Sequence, residues 1–392
     1  MSKFTKKINI LAITGIRSEY DILFPIIKAL DSDESYNVKL LVSGAHLSEN
    51  QGYTYKKIVE DGFKICDRIH TLLDTDSISQ RSLAVSMLIS GLNNAILREK
   101  PDVILVVGDR EESIAAAIVG NYSSTLVAHI GGGDPVWGNS DDPIRMAVSK
   151  LSHIHLTTSK KYADNLISLG EDIWRICNIG TPGLDNIMNE PPMTLTEVNN
   201  GLGISLAKYI VFIKHPLSSE LIDAPKQMRI SLDAIQGYCT KHNFKCVWIK
   251  SNGDPGSVKM SKTFEQEKYD KIHPMNSLPR NLFVNLMRHS YALVGNSSMG
   301  ILEAPTYKIP VVNIGNRQQG RMNAGNVKFT KYSKIEIIKA IENACLNNAY
   351  RDEINRIVSP YGDGNSSIKF LNFFKKLDFD DNKWKIKACL VK

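Results

Sequence analysis

Two doubly wound α/β domains are what this sequence predicts, and three observations predict them. Short, β-branched, almost continuously apolar runs alternate with helix-period stretches, the mark of parallel strands covered on both faces. The alternation pauses around Gly180–Gly203, where Thr181-Pro182-Gly183 and Glu190-Pro191-Pro192 punctuate the chain, and then restarts. The length, 392 residues, suits two domains that each bury a core of their own.

In the first half the strand patterns are Ile8–Thr14, Val38–Ser43, Val103–Val107, Leu126–Ile130 and His153–Thr157. Helical patterns fall over Asp21–Leu30, Ser79–Glu99, Glu112–Asn121, Pro143–Leu151 and Tyr162–Leu169. After the pause, strands are expected at Tyr209–Ile213, Val247–Ile249, Tyr291–Val294 and Val311–Ile314. Helices are expected near Pro225–His242, Leu282–Arg288, Gly300–Thr306 and Lys334–Leu346. A last helix, Ile368–Lys376, follows the turn-rich Tyr361-Gly362-Asp363-Gly364-Asn365, and the stretch from Asp380 reads as an ordinary tail. The domains so defined are 1–185, 186–365, and a terminal helix with its tail over 366–392.

Composition narrows the class. Hydrophobic residues at 43% and charged residues at 23% are globular proportions, and a net charge of +7 with dispersed Lys and Arg slightly favours anionic small molecules while being weak evidence for nucleic acid. No apolar run approaches the length of a membrane helix, and Ile8–Thr14 leads into Gly15 and Arg17 rather than a cleavage site. Cys66, Cys177, Cys239, Cys246, Cys345 and Cys389 stand apart with no Cys-x-x-Cys, and read as reduced, buried thiols. These features predict a soluble cytoplasmic enzyme.

On doubly wound sheets ligands bind beyond the carboxyl ends of the strands. Gly15 and Arg17 follow the first strand, where helix-start amides and a guanidinium suit phosphate; a plain surface loop with an incidental Arg is the alternative. Asp109, at the tip of a buried strand, is a candidate base; with Glu111 and Glu112 it also suits the start of a helix. Gly131-Gly132-Gly133 lets backbone approach a ligand, and Asp134, Asp141 and Asp142 bring carboxylates to the same loop. The alternative there is an Asp cap before Pro143.

In the second half Lys214-His215-Pro216 closes a strand. Gly295-Asn296-Ser297-Ser298-Met299-Gly300 opens a helix as an anion cradle, and Glu303, one turn on, suits ribose hydroxyls. Arg317 and Arg321 flank a further loop, and the two loops together suit a diphosphate. His153 and His155 share a strand face without the rest of a metal-ligand set, so no metal is expected.

Taken in order, Gly15-Ile16-Arg17-Ser18-Glu19-Tyr20, Gly108-Asp109-Arg110, Lys214-His215-Pro216, Gly295 to Gly300, Arg317-Gln318-Gln319-Gly320-Arg321 and Tyr361 to Asn365 resemble the hydrolysing UDP-N-acetylglucosamine 2-epimerases. Those enzymes supply N-acetylmannosamine or a related sugar for sialic and legionaminic acids. The resemblance runs from about residue 8 to about residue 378. It implies two Rossmann-like domains facing across a cleft, the GT-B-like arrangement, with the last helix returning to the first domain.

The resemblance also implies roles. Arg17, Glu19 and Arg110 bind substrate from the first domain, while His215, Asn296, Ser297, Ser298, Gly300, Glu303 and Arg321 do so from the second. Asp109 is the acid/base nearest the sugar, Asp141 or Asp142 is a second carboxylate, and Arg145 matches an arginine on the following helix. It implies a UDP-sugar substrate, UDP as product, no cofactor, and a homo-oligomer (dimer or tetramer). Neither nucleic acid nor membrane is an expected partner.

Gly131 stands where these enzymes carry Glu or His, Met146 stands where His is common, and the loop to Asp141 is one residue longer. Asp134 or His129 would then supply the missing acid/base group, or the sugar would be a different one, such as a 2,4-diacetamido sugar. Two other readings stand beside this one: a glycosyltransferase of the same architecture, and a nucleotide-sugar-binding protein with impaired catalysis.

Overall fold

The computed structural model describes residues 6–72, 79–135, 141–250, 256–276 and 278–387, and among them thirteen strands form two parallel sheets. The first sheet contains β1 (Ile8–Thr14), β2 (Tyr36–Ser43), β3 (Ile65–Ile69), β4 (Val103–Val107), β5 (Leu126–Ile130), β6 (Ile154–Thr157) and β7 (Ile176–Asn178), ordered β3-β2-β1-β4-β5-β6-β7. The second contains β8 (Tyr209–Ile213), β9 (Lys245–Ile249), β10 (Ile272–Met275), β11 (Leu293–Gly295), β12 (Val311–Ile314) and β13 (Val327–Thr330), ordered β10-β9-β8-β11-β12-β13. In each, the strand order reverses beside the first strand, so the switch points lie between β1 and β4 and between β8 and β11.

Period-two alternation explains why both faces of each sheet are covered. In β4, Val103, Leu105 and Val107 join the core under the helices Arg17–Asp31 and Ser366–Phe374, while Ile104 and Val106 join the one under Gln80–Glu99 and Glu111–Tyr122. In β8, Ile210 and Phe212 pack on one side and Tyr209, Val211 and Ile213 on the other.

The first compact unit takes in the chain up to Asn186, apart from a short stretch outside the described residues, together with Tyr361 onward; the second takes in Ile187–Pro360. Around Gly180–Gly203 the structure replaces the expected pause with two helices, Gly183–Asn189 and Leu195–Leu202. Thr194 and Glu197 cap the second reciprocally, and Gly203 ends it in the left-handed region. The tail is not ordinary either. Trp384 is buried in the same core as Phe370 and Phe374.

Cys66, Cys177, Cys239, Cys246 and Cys345 carry free thiols, the first two only partly buried; Cys389 lies outside the described residues. No described helix is long and apolar enough to cross a membrane.

Candidate active site

At the first switch point, β1 ends at Thr14, and Gly15 turns the chain into the helix Arg17–Asp31. The Gly15 N–H donates to Glu19 Oε2 at 2.8 Å. His46 supports the turn from below: its N–H donates to the Gly15 carbonyl (3.1 Å), and Nε2 lies 2.9 Å from Thr14 Oγ1. Burial pulls the His46 pKa down to about 4, so this strut is neutral. A Cβ at Gly15 would collide with the Glu112 carboxyl group, so any larger residue there would have to displace that side chain. Arg17 lies on the first turn, 3.6 Å from Asp21.

Glu112, one turn beyond β4, receives a bond from Ser43 Oγ (3.1 Å) and is buried, as is Glu19. Burial pushes the Glu19 pKa up to about 8, with the neighbouring Glu112 charge adding to it; burial raises Glu112 as well. Two carboxyl groups thus press against one loop while Arg110 supplies the nearby positive charge.

Asp109 sits at the tip of β4. Arg145, on the helix Asp141–Leu151, grips it with Nε at 2.9 Å and with Nη2. The same guanidinium places Nη1 3.1 Å from Asp134 Oδ2 and donates to the Asp134 carbonyl at 3.2 Å. Burial works against the Asp109 charge, but the Arg145 guanidinium outweighs it and holds the carboxyl below its ordinary value. One arginine therefore gathers two of the four expected carboxylates.

The structure treats the other two differently. Asp141 pairs with Arg81 Nη1 at 3.0 Å, and Arg81 also binds Glu111, so this carboxylate belongs to an ion cluster the sequence did not reveal. Asp142 follows it in the first helical turn. His129 does not fill the gap at Gly131. It is buried, its pKa is pulled down to about 3 by burial, and Nε2 lies 2.7 Å from the Gly108 carbonyl. A carbonyl only accepts, so Nε2 carries the proton, and the ring is a strut rather than an acid. The added residue between Pro135 and Asp141 lies outside the described residues.

At the second switch point, β11 ends at Gly295 with φ of 131°, where a Cβ would collide with the Ile213 carbonyl of β8. Asn296 then clamps the facing loop: Oδ1 accepts the His215 N–H (2.7 Å), and Nδ2 donates to the His215 carbonyl (2.8 Å). Asn296 is buried and holds His215 through its backbone, whereas Ser297 and Ser298 are half-exposed. The expected helix Gly300–Thr306 is two single turns, Met299–Leu302 and Ala304–Tyr307, parted at Glu303. Pro305 has no N–H to continue the ladder. The cradle consequently owes its donors to local amides and hydroxyls rather than to a long helix dipole.

Arg317 Nη1 and Gln318 Nε2 each donate to the Asn296 carbonyl at 3.1 Å, and Arg321 Nη1 donates to Gln318 Oε1 at 3.0 Å. Arg321 and Lys214 are both buried. Lys214 Nζ sits 4.5 Å over the Tyr332 ring, and burial draws its pKa down to about 7. Among the described residues, no group of three or more His, Cys, Asp or Glu side chains could hold a metal ion.

Known proteins resemble this chain in sequence and in fold. The sequence model of the UDP-N-acetylglucosamine 2-epimerase family matches residues 28–375, and the chain belongs to that family. It is 32% identical over 342 residues to the UDP-N-acetylglucosamine 2-epimerase of Neisseria meningitidis, covering 86% of this chain and 87% of the relative. It is 30% identical over 371 residues to the hydrolysing UDP-N,N'-diacetylbacillosamine 2-epimerase of Legionella pneumophila, covering 94% and 96%. Among solved structures, a Neisseria meningitidis UDP-GlcNAc 2-epimerase bound to UDP-GlcNAc has a similar fold, with a TM-score of 0.81, 18% identity, and coverage of 94% of this chain and 100% of the other.

Proposed function

We propose that this enzyme is a hydrolysing 2-epimerase that converts a UDP-2-acetamido sugar and water to UDP and the free 2-epimer. The observation that carries the reading is the Asp109–Arg145–Asp134 group at the tips of β4 and β5: a half-buried carboxylate kept ionised beside a second one. The names of the Legionella relative and of its Campylobacter jejuni counterpart, 30% identical over 325 residues, support hydrolysis and a 2,4-diacetamido sugar as one substrate.

A carboxylate of low pKa is available but weakly basic. It removes the C2 proton only if the C1–oxygen bond breaks at the same time, with the electron pair leaving on UDP and a C1=C2 double bond forming. Arg321, Ser297, Ser298 and His215 of the second unit serve the diphosphate and so drive departure electrostatically. Water then adds, its hydroxyl to C1, and a proton returns to the opposite face of C2. Asp109 and Asp134 are the pair that removes and returns protons. Asp141 adds its charge to those that hold Arg145 in place.

Incubation with UDP-N-acetylglucosamine, and separately with its 2,4-diacetamido analogue, in D2O tests this reading. Free 2-epimer with deuterium at C2, seen by NMR, is the expected product. Accumulation of a UDP-linked epimer without free sugar would overturn the hydrolytic step.

A further inference from the structure

The segment beyond the last long helix is fastened at several points. Trp384 packs on Trp174 with ring centroids 4.7 Å apart, and Arg175 donates Nη2 to the carbonyls of Lys383 (3.1 Å) and Ile386 (2.7 Å). The next residue, Lys387, places Nζ 3.2, 2.6 and 2.5 Å from the carbonyl oxygens of Ser149, Lys150 and Ser152, and 2.8 Å from Glu171 Oε2. Those carbonyls close the helix Asp141–Leu151, where the negative end of the dipole favours a cation.

This is also the helix that bears Arg145, and two linkages run from it to Asp109. One is ionic, through Arg145 itself. The other passes through Ser149, whose Oγ lies 3.2 Å from His129 Nδ1, and on through His129 Nε2 to the Gly108 carbonyl beside Asp109. We propose that Lys387 is a positioning residue for Asp109, capping the helix whose Arg145 and Ser149 set the carboxylate from two sides. The functional part of this proposal rests on the reading of Asp109 as a reacting group.

The cap is also sensitive to pH. Burial draws the Lys387 pKa down to about 8, against the attraction of Glu171. The other charged or titratable groups facing it are Lys150 and His155, both bonded to Glu171, together with Arg175 and His153. As pH rises through about 8 the ammonium loses its proton and the carbonyls lose their cation.

Lys387→Met and Lys387→Arg in the full chain test the proposal. In Lys387→Met, amides of residues 141–152 should exchange hydrogen faster, and the Asp109 carboxyl, followed by 13C NMR without substrate, should titrate at higher pH. The kcat should fall about tenfold with UDP affinity unchanged, as expected when a reacting group is displaced slightly. Lys387→Arg should restore all three and abolish the wild-type decline in kcat above about pH 8. An unmoved Asp109 titration in Lys387→Met overturns the proposal, whatever the helix does. A displaced titration in a protein whose wild type turns over no UDP-sugar would uphold the positioning and overturn only the functional reading.

Discussion

The two switch points share a strand order and a glycine at the critical turn, yet they are furnished with different chemistry. The first gathers Glu19, Asp109, Glu112 and Asp134, with Arg145 and Arg110 set among them. The second holds buried carboxamides, half-exposed hydroxyls, and the cations Lys214, Arg317 and Arg321. A shared strand order therefore fixes where a site lies but not what it does. A carboxylate with a displaced pKa, such as Asp109, suits proton transfer, whereas neutral donors and guanidiniums suit a polyanion.

If that division of labour holds, the largest effect should come from Asp109→Asn. Turnover should fall about 10³-fold or more while UDP binding, measured by calorimetry, stays as in wild type. Comparable losses in both quantities would break the contrast. Arg321→Ala should do the reverse, weakening UDP affinity about 10–100-fold, the worth of a charge-assisted contact; an unchanged dissociation constant would remove Arg321 from the diphosphate. Asn296→Ala unties both backbone bonds of His215 and should cost about 1–3 kcal/mol of stability in denaturant titrations.

The smallest effect sharpens the first region. Because burial raises the Glu19 pKa from 4.5 to about 8, the stability from its bound proton is whole below 4.5 and drains away as pH rises to about 8. Glu112→Gln removes the neighbouring charge. It should stabilise the protein by about 1 kcal/mol near pH 8 and hardly at all near pH 5. An equal gain at both values would show that the carboxyl groups do not interact.

What the sequence revealed follows a physical line. Of the thirteen strands, the nine legible ones are interior to their sheets, where burial on both faces demands an unbroken apolar run. The four it hid, β3, β7, β10 and β13, are the edges, and each is short, polar or half-exposed, as in Ile-Cys-Asp-Arg-Ile of β3. Thr194-x-x-Glu197 was a readable helix start inside the supposed pause. At the site, glycines and charges at strand tips marked Asp109, Asn296 and Arg321. Arg81 and Lys387, by contrast, reach their partners from 30 or more residues away in sequence, and such pairings leave no local trace. The acidic residues in the first turn of the helix Glu111–Tyr122 suited its dipole, which masked the burial of Glu112.

The first unit is interrupted: its core takes Phe370, Phe374 and Trp384 from chain that comes after the whole of the second. During synthesis the ribosome therefore releases the second unit as an uninterrupted segment while the first still lacks three large aromatic side chains. Folding of the earlier half is completed last, and a gene cut after codon 186 would yield a sheet with one flank of its core unfilled.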